Sequence, residues 1–323
     1  MRTETLQNAF SKPQENNSSF ISRFYIYQKE RFPFLGHGLL VSSFSFSAIS
    51  YSRICRGAAG FVGLKTFFTG IFITITLFFL VRIFDEFKDA KDDAMYRSEL
   101  PVPRGLVSLR ELAIIAIVIA ILQIGVNLFF FPQMLVVYFI VIGYLLLMGK
   151  EFFVSAWLKK HQFWYVTSHM FIIPLVDMYA SGLDWKLACV QPAKGLLFFF
   201  AVSYMNGIVL EIGRKIRSPE LEVKGVLTYS GMLGPNKAAL LWILVLAFTL
   251  ALSIAASVFA GYGMAAFIVL GCVFLLCSLP AFIYFNRKSK SVSKAIEYAS
   301  ALWTIAMYLT LGGGPMISNL FFK

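Results

Sequence analysis

The sequence predicts an all-α, polytopic membrane protein, with nine transmembrane helices bundled under a cytoplasmic cap of charged loops. Three observations predict it. The 323 residues are 58% hydrophobic and only 14% charged, outside the usual range of soluble domains. Apolar runs recur along the whole chain at the length of about 20 residues that crosses a bilayer. With the N-terminus placed in the cytoplasm, 23 of the 29 Lys and Arg fall in the tail and loops of one face, as the positive-inside rule requires. The opposite face takes Arg53, Arg56, Lys65, Lys186, Lys194 and Lys323. This asymmetry accounts for most of the +12 net charge without a nucleic-acid partner.

Residues 1–32 read as a cytoplasmic tail followed by an interfacial helix around Phe20 to Arg31, with no signal-peptide pattern. Residues 33–323 form the helical domain. Charged, proline and glycine punctuation divides it into spans at roughly 33–54, 62–84, 106–128, 132–150, 163–183, 192–213, 237–260, 262–286 and 297–318. Spans three and four join through Phe131-Pro132, and seven and eight through Gly261-Tyr262-Gly263. Each pair follows a charged loop, which hints at a duplicated bundle. The cysteines Cys55, Cys189, Cys272 and Cys277 show no metal-ligand spacing and read as small hydrophobes.

The chain has 17 Asp and Glu, and six of them, Asp85, Glu86, Asp89, Asp92, Asp93 and Glu99, crowd the segment Asp85 to Gly105 directly after the second span. On a helix Asp85, Asp89 and Asp93 recur at i, i+4 and i+8, placing three like charges along one face. That spacing is destabilising without a counter-charge. Lys88 and Lys91 supply one on a solvated helix; Mg²⁺, which takes carboxylate oxygens together with substrate phosphates, supplies another. A second charged loop, Asn206 to Ser230, interleaves Glu211, Glu220 and Glu222 with Arg214, Lys215, Arg217 and Lys224. These cations suit a diphosphate, because Arg donates in a planar fork and Lys adds point charge. Headgroup anchoring is the competing reading.

The segment Asp85 to Gly105 and the Leu106-Val107-Ser108 after it resemble the first aspartate-rich motif of the UbiA superfamily of intramembrane prenyltransferases. That motif runs Asn-Asp-x-x-Asp-x-x-x-Asp and leads into a basic turn, Arg-Pro-x-Pro-x-Gly. Anchored on Pro101, Pro103 and Gly105, Asp89 and Asp93 fall on the last two aspartates, Glu86 on the first and Asp85 on the asparagine. The second motif departs from the family's Asp-x-x-x-Asp, offering Glu211, then Arg214-Lys215, then Glu220 and Glu222. Gly225-Val226-x-Thr228 resembles the closing segment.

The resemblance implies a Mg²⁺-dependent membrane prenyltransferase that joins an isoprenyl diphosphate to an aromatic or lipid-like acceptor. Its implied metal ligands are Asp85, Glu86, Asp89, Asp93 and a glutamate of the second motif, Glu211 or Glu220. Asp85, Asp89, Asp93 and Glu211 are the candidate catalytic residues. Arg97, Arg104, Lys159, Lys160, Arg214, Lys215 and Arg217 are the candidate diphosphate-binding cations, and Tyr204 and Asn206, before Glu211, the candidate pocket residues.

Asp92 reads as solvated on the opposite helix face. Within span five, Asp177 reads as structurally paired, and His169 either as satisfied by backbone groups freed at Pro174 or as a pocket or acid–base group, since ionisable residues inside a membrane need partners. Two other functions compete. A UbiA-type terpene cyclase would use the same donor without an acceptor. An ion or metal transporter would more usually place its site at the bilayer midplane, on broken helices.

Overall fold

The computed structural model describes residues 19–223 and 225–321, and these are organised in helices with no strand among them. The tail up to residue 18, Lys224 and Lys323 lie outside the described residues. Helix α1 (Phe20–Arg31) meets α2 (Phe34–Cys55) at a 55° bend. The break falls at Phe32-Pro33, where proline lacks the amide hydrogen and biases the residue before it away from the helical region. Ile21 and Tyr25 of α1 are exposed, while Tyr27 and Phe32 pack with Phe79, Ile83, Val102, Val107 and Leu112. So α1 is more than an interfacial helix: it is fixed onto the chain around the acidic segment.

Helix α3 (Leu64–Tyr96) has 33 residues, about 50 Å at 1.5 Å per residue. That exceeds a hydrocarbon layer of about 30 Å, so the last turns, carrying Asp85 to Asp93, continue past the apolar part. A turn follows in which Gly105 takes a φ of 77°, readily accessible only to glycine. Ser108 and Glu111 then form a reciprocal capping box that starts α4 (Leu109–Phe130). Arg23 of α1 reaches Glu111 at 2.7 Å and the Leu106 carbonyl at 2.8 Å, joining α1 to this turn.

Phe131-Pro132 turns the chain into α5 (Leu135–Gly149). Between α3, α4 and α5 the apolar interior is cross-linked by side-chain hydrogen bonds from Gln123 to Thr76 and from Tyr138 to Gln123, the usual polar bonding of helices in lipid. After Gly149, Glu151, Phe152 and Phe153 all have positive φ. Short helices α6 (Ser155–Lys160) and α7 (Gln162–Met170) precede α8 (Ile172–Trp185) and α9 (Leu196–Arg214). The second half comprises α10 (Tyr229–Leu233), α11 (Pro235–Phe259), α12 (Gly263–Asn286), α13 (Lys290–Tyr308), a π-helical turn (Leu309–Gly313) and α14 (Gly314–Phe321).

Among the described residues six helices, α3, α4, α5 with its preceding turn, α9, α11 and α12, are long and apolar enough to cross a membrane, and the bent α1–α2 pair makes a seventh. The expected span 163–183 is broken at Phe171 into α7 and α8. Pro174 lies in the first turn of α8, the one helical position that tolerates a missing amide hydrogen. The expected span 297–318 stays helical but passes through the π-helical turn Leu309–Gly313.

At the end of the bundle away from the acids, Asp184 is fully buried and accepts from Ser52 Oγ at 2.8 Å, Arg53 Nη1 at 2.8 Å and Arg56 Nε at 2.8 Å. Asp184→Ala leaves both guanidiniums without their counter-charge. The variant is expected to be about 3 kcal/mol less stable, measured by unfolding of the detergent-solubilised protein.

Candidate active site

The end of α3 presents carboxylates one turn apart, and most are held by cations. Glu86, 1% exposed, accepts on Oε1 from Arg31 Nε at 2.6 Å, Arg82 Nη2 at 3.0 Å and Tyr27 Oη at 3.5 Å. Asp85 accepts from Lys88 Nζ at 2.9 Å. Asp93 is buried, with Arg97 Nη2 2.7 Å from Oδ1 and Arg31 Nη2 3.8 Å from Oδ2. The Arg97 contact is angled off a hydrogen bond, so Asp93 Oδ1 is a buried oxygen without one. Asp89 makes no hydrogen bond or ion pair to a described residue.

Three connections and α13 converge on this helix end. A polar cavity of about 320 Å³ is lined by Asp89, Asp92 and Arg97 from one side, Glu151, Lys159 and Tyr165 from a second, and Arg214, Lys215, Arg217 and Gly225 to Thr228 from a third. Glu297 of α13 also lines it. The second charged loop is folded locally by its own polar groups: Glu222 accepts from Thr228 Oγ1 and Ser230 Oγ, each at 2.6 Å. Gly225, at φ 91°, packs directly against the Tyr96 ring. Lys88 Nζ lies 5.4 Å above the Tyr165 ring, a cation–π contact that holds both beside the acids.

One turn deeper than Asp89, Asp85 lines a second cavity of about 200 Å³ with Arg82, Phe32, His37, Val41, Phe44, Phe78, Val81, Ile173, Asn206, Leu210 and Tyr308. Its wall is apolar apart from the Asp85–Arg82 end and the Asn206–Thr304–Tyr308 end. A charged mouth and a membrane-depth apolar cavity are therefore one helical turn apart along α3.

The predicted site residues divide accordingly. Asp89, Arg97, Lys159, Arg214, Lys215 and Arg217 line the mouth; Asp85 and Asn206 line the apolar cavity. Glu211 lies beneath the mouth, with Arg214 Nε at 2.6 Å on Oε2 and Lys215 Nζ at 2.7 Å on Oε1. It anchors the two cations whose charge faces the mouth. Glu220 is exposed on the 3₁₀ turn Pro219–Leu221 and does not line the mouth. Arg104 is turned away, forking onto Glu30 at 2.8 and 3.0 Å, and that bond raises its pKa. Lys160 is exposed and does not line the mouth. Tyr204 lines neither cavity; its hydroxyl reaches the Thr167 carbonyl at 3.4 Å.

Asp92 is solvated as expected, its side chain 49% exposed, but it faces the mouth rather than the opposite side. It lines the mouth and accepts from Lys159 Nζ at 3.1 Å, a bond that raises the Lys159 pKa. His169 donates from Nδ1 to the Tyr165 carbonyl at 2.8 Å, while Nε2 is buried without a partner. Asp177, read as structurally paired, has no hydrogen-bond partner on either oxygen.

Arg82, Arg31 and Tyr165 are site residues that sequence reasoning overlooked. Arg82 had a signal, three and four residues before Asp85 and Glu86. Arg31 had none, since 55 residues separate it from Glu86.

The donor chemistry fits a divalent cation. Asp89 is uncommitted, and Asp93 Oδ1 lacks a hydrogen bond in a buried setting. No three acidic, His or Cys side chains converge on one point among the described residues.

No family model and no curated protein matches the sequence. A solved structure of a digeranylgeranylglyceryl phosphate synthase is similar to the chain, with a TM-score of 0.52 and 14% identity over 87% of this chain and 98% of that one. The likeness shows that the two chains share a helical membrane fold. Within this fold α3 and the segment after α9 bring the two charged stretches to one mouth.

Proposed function

We propose that the protein is a membrane prenyltransferase, moving an isoprenyl group from an isoprenyl diphosphate to a hydrophobic or aromatic acceptor with Mg²⁺ bound. The observation that carries this reading is the adjacency of a charged mouth and an apolar cavity, joined along α3 by Asp85 and Asp89. An amphiphile with a diphosphate head and an isoprenoid tail has the same division. Arg97, Lys159, Arg214, Lys215 and Arg217 bind the diphosphate, and Asp89 and Asp93, with Asp85, hold the metal. The bound metal neutralises charge on the leaving diphosphate. The five cations stabilise the same charge from fixed positions, and the apolar wall keeps water from the allylic carbon. Lys and Arg distribution supports a mouth that opens to the cytoplasm.

The aromatic wall of Phe32, Phe44, Phe78 and Tyr308 supports a second reading, cyclisation of the donor, because aromatic faces attract a carbocation. One experiment separates the two. Purified protein is incubated with Mg²⁺ and geranyl, farnesyl or geranylgeranyl diphosphate without acceptor, and products are analysed by mass. Prenyl transfer predicts no cyclic product, and chelation by EDTA is expected to abolish consumption when an acceptor is present. A cyclic hydrocarbon formed in the acceptor-free sample would overturn transfer in favour of cyclisation.

A further inference from the structure

The apolar cavity ends on polar atoms that the binding of an isoprenoid tail does not use. Asn206 is 1% exposed and lines the cavity. Its Oδ1 accepts from Trp303 Nε1 at 3.0 Å, which fixes the amide with Nδ2 as the remaining group, and Nδ2 is buried without a partner. Tyr308 lines the same end and donates its hydroxyl hydrogen to Ser203 Oγ at 3.0 Å. With its hydrogen committed to Ser203, the Tyr308 oxygen keeps acceptor capacity beside the Asn206 donor.

We propose that this inner end is a hydroxyl-recognition subsite, in which Asn206 and Tyr308 hold the alcohol or phenol group of an otherwise apolar second substrate. Asn206 Nδ2 donates to the hydroxyl oxygen, and the hydroxyl hydrogen goes to Tyr308 Oη. Other chemistries fit less well. A purely hydrocarbon ligand leaves Nδ2 buried and unsatisfied. An anion finds no uncommitted cation among the lining residues, since Arg82 is paired with Glu86 and His37 stacks on Phe32, and an unpaired buried charge is costly. A cation meets the Asn206 donor. The role of the ligand as acceptor rests on the prenyl-transfer reading, whereas its binding does not.

The test measures binding of geraniol and of its hydrocarbon counterpart, 2,6-dimethylocta-2,6-diene, to the full chain in detergent of constant composition. Ligand-dependent thermal stabilisation is the readout, with no diphosphate or Mg²⁺ present. Geraniol is expected to bind about tenfold more tightly than the hydrocarbon. The ratio is expected to fall to within about twofold of unity in Asn206→Leu and in Tyr308→Phe, as a site built around a hydroxyl loses its discrimination. A ratio near unity in the wild type, as when a water alone fills the subsite, overturns the proposal. So does a tenfold ratio retained in Tyr308→Phe, which removes a single oxygen and remains decisive where Asn206→Leu does not fold. Turnover of isoprenyl diphosphate is scored separately: its absence with the hydroxyl preference intact removes the transferase reading and leaves the subsite standing.

Discussion

Asp89→Ala is expected to slow diphosphate release from an isoprenyl diphosphate by at least about a hundredfold while leaving the fold intact. Two properties of the side chain combine to give this result. Asp89 lines the mouth between Arg97 and Lys159 on one side and Arg214 and Lys215 on the other, where a bound diphosphate would lie. It also makes no bond to a described residue, so its removal strands no cation, and its effect on stability is expected to stay within about 0.5 kcal/mol. Asp93→Ala should lose turnover similarly, with some loss of stability because Arg97 and Arg31 keep their charge without it. Turnover is measured as released diphosphate and folding by thermal unfolding in detergent. Unchanged turnover in both variants would refute their assignment to the metal.

Glu86→Ala is expected to give the opposite pattern, with stability as its main loss. Glu86 is buried beneath α1 and draws Arg31, Arg82 and Tyr27 onto one oxygen. Removing it leaves two guanidiniums, 13% and 19% exposed, without their shared counter-charge. Breaking a buried ion pair from one side costs about 3 kcal/mol or more, and here the loss also releases the tie between α1 and α3. Glu86→Gln retains an acceptor for Tyr27 and one arginine and should recover part of the stability. A Glu86→Ala protein with wild-type unfolding behaviour and no turnover would instead place Glu86 with the metal, as the motif alignment implies. The contrast between Glu86 and Asp89, three residues apart on one helix, separates holding the site together from operating it.

Much of this site was legible because its acids are local. Asp85, Asp89 and Asp93 are ordered by the 3.6-residue period alone, and Pro101, Pro103 and Gly105 announce the turn that follows. The cations of the second loop were equally plain, since Arg214, Lys215 and Arg217 cluster just past an apolar run. What misled was the treatment of loops as equivalent. Arg104 and Lys160 have the right charge in the right segments, yet Arg104 forks onto Glu30 from α1 and Lys160 is exposed outside the mouth. Neither Glu30 nor the path of α6 is visible in the spacing of basic residues. Asp92 is solvated as a helical wheel has it, and only the approach of Lys159 makes its face a wall of the mouth.

The sequence by itself determined that the chain is an apolar helical bundle with an acidic helix end and a basic loop, because hydropathy and helical period are properties of neighbouring residues. Only the tertiary structure decided which charges meet. Arg31 reaches Glu86 because Pro33 bends α1 back over α3. Asn206 reaches the inner end of the apolar cavity because α9 packs within the same bundle as α2 and α13. It also decided the helix geometry, since the expected fifth span divides at Phe171 and the expected ninth takes a π-turn at Leu309–Gly313, where backbone hydrogen bonding rather than hydropathy shapes the helix.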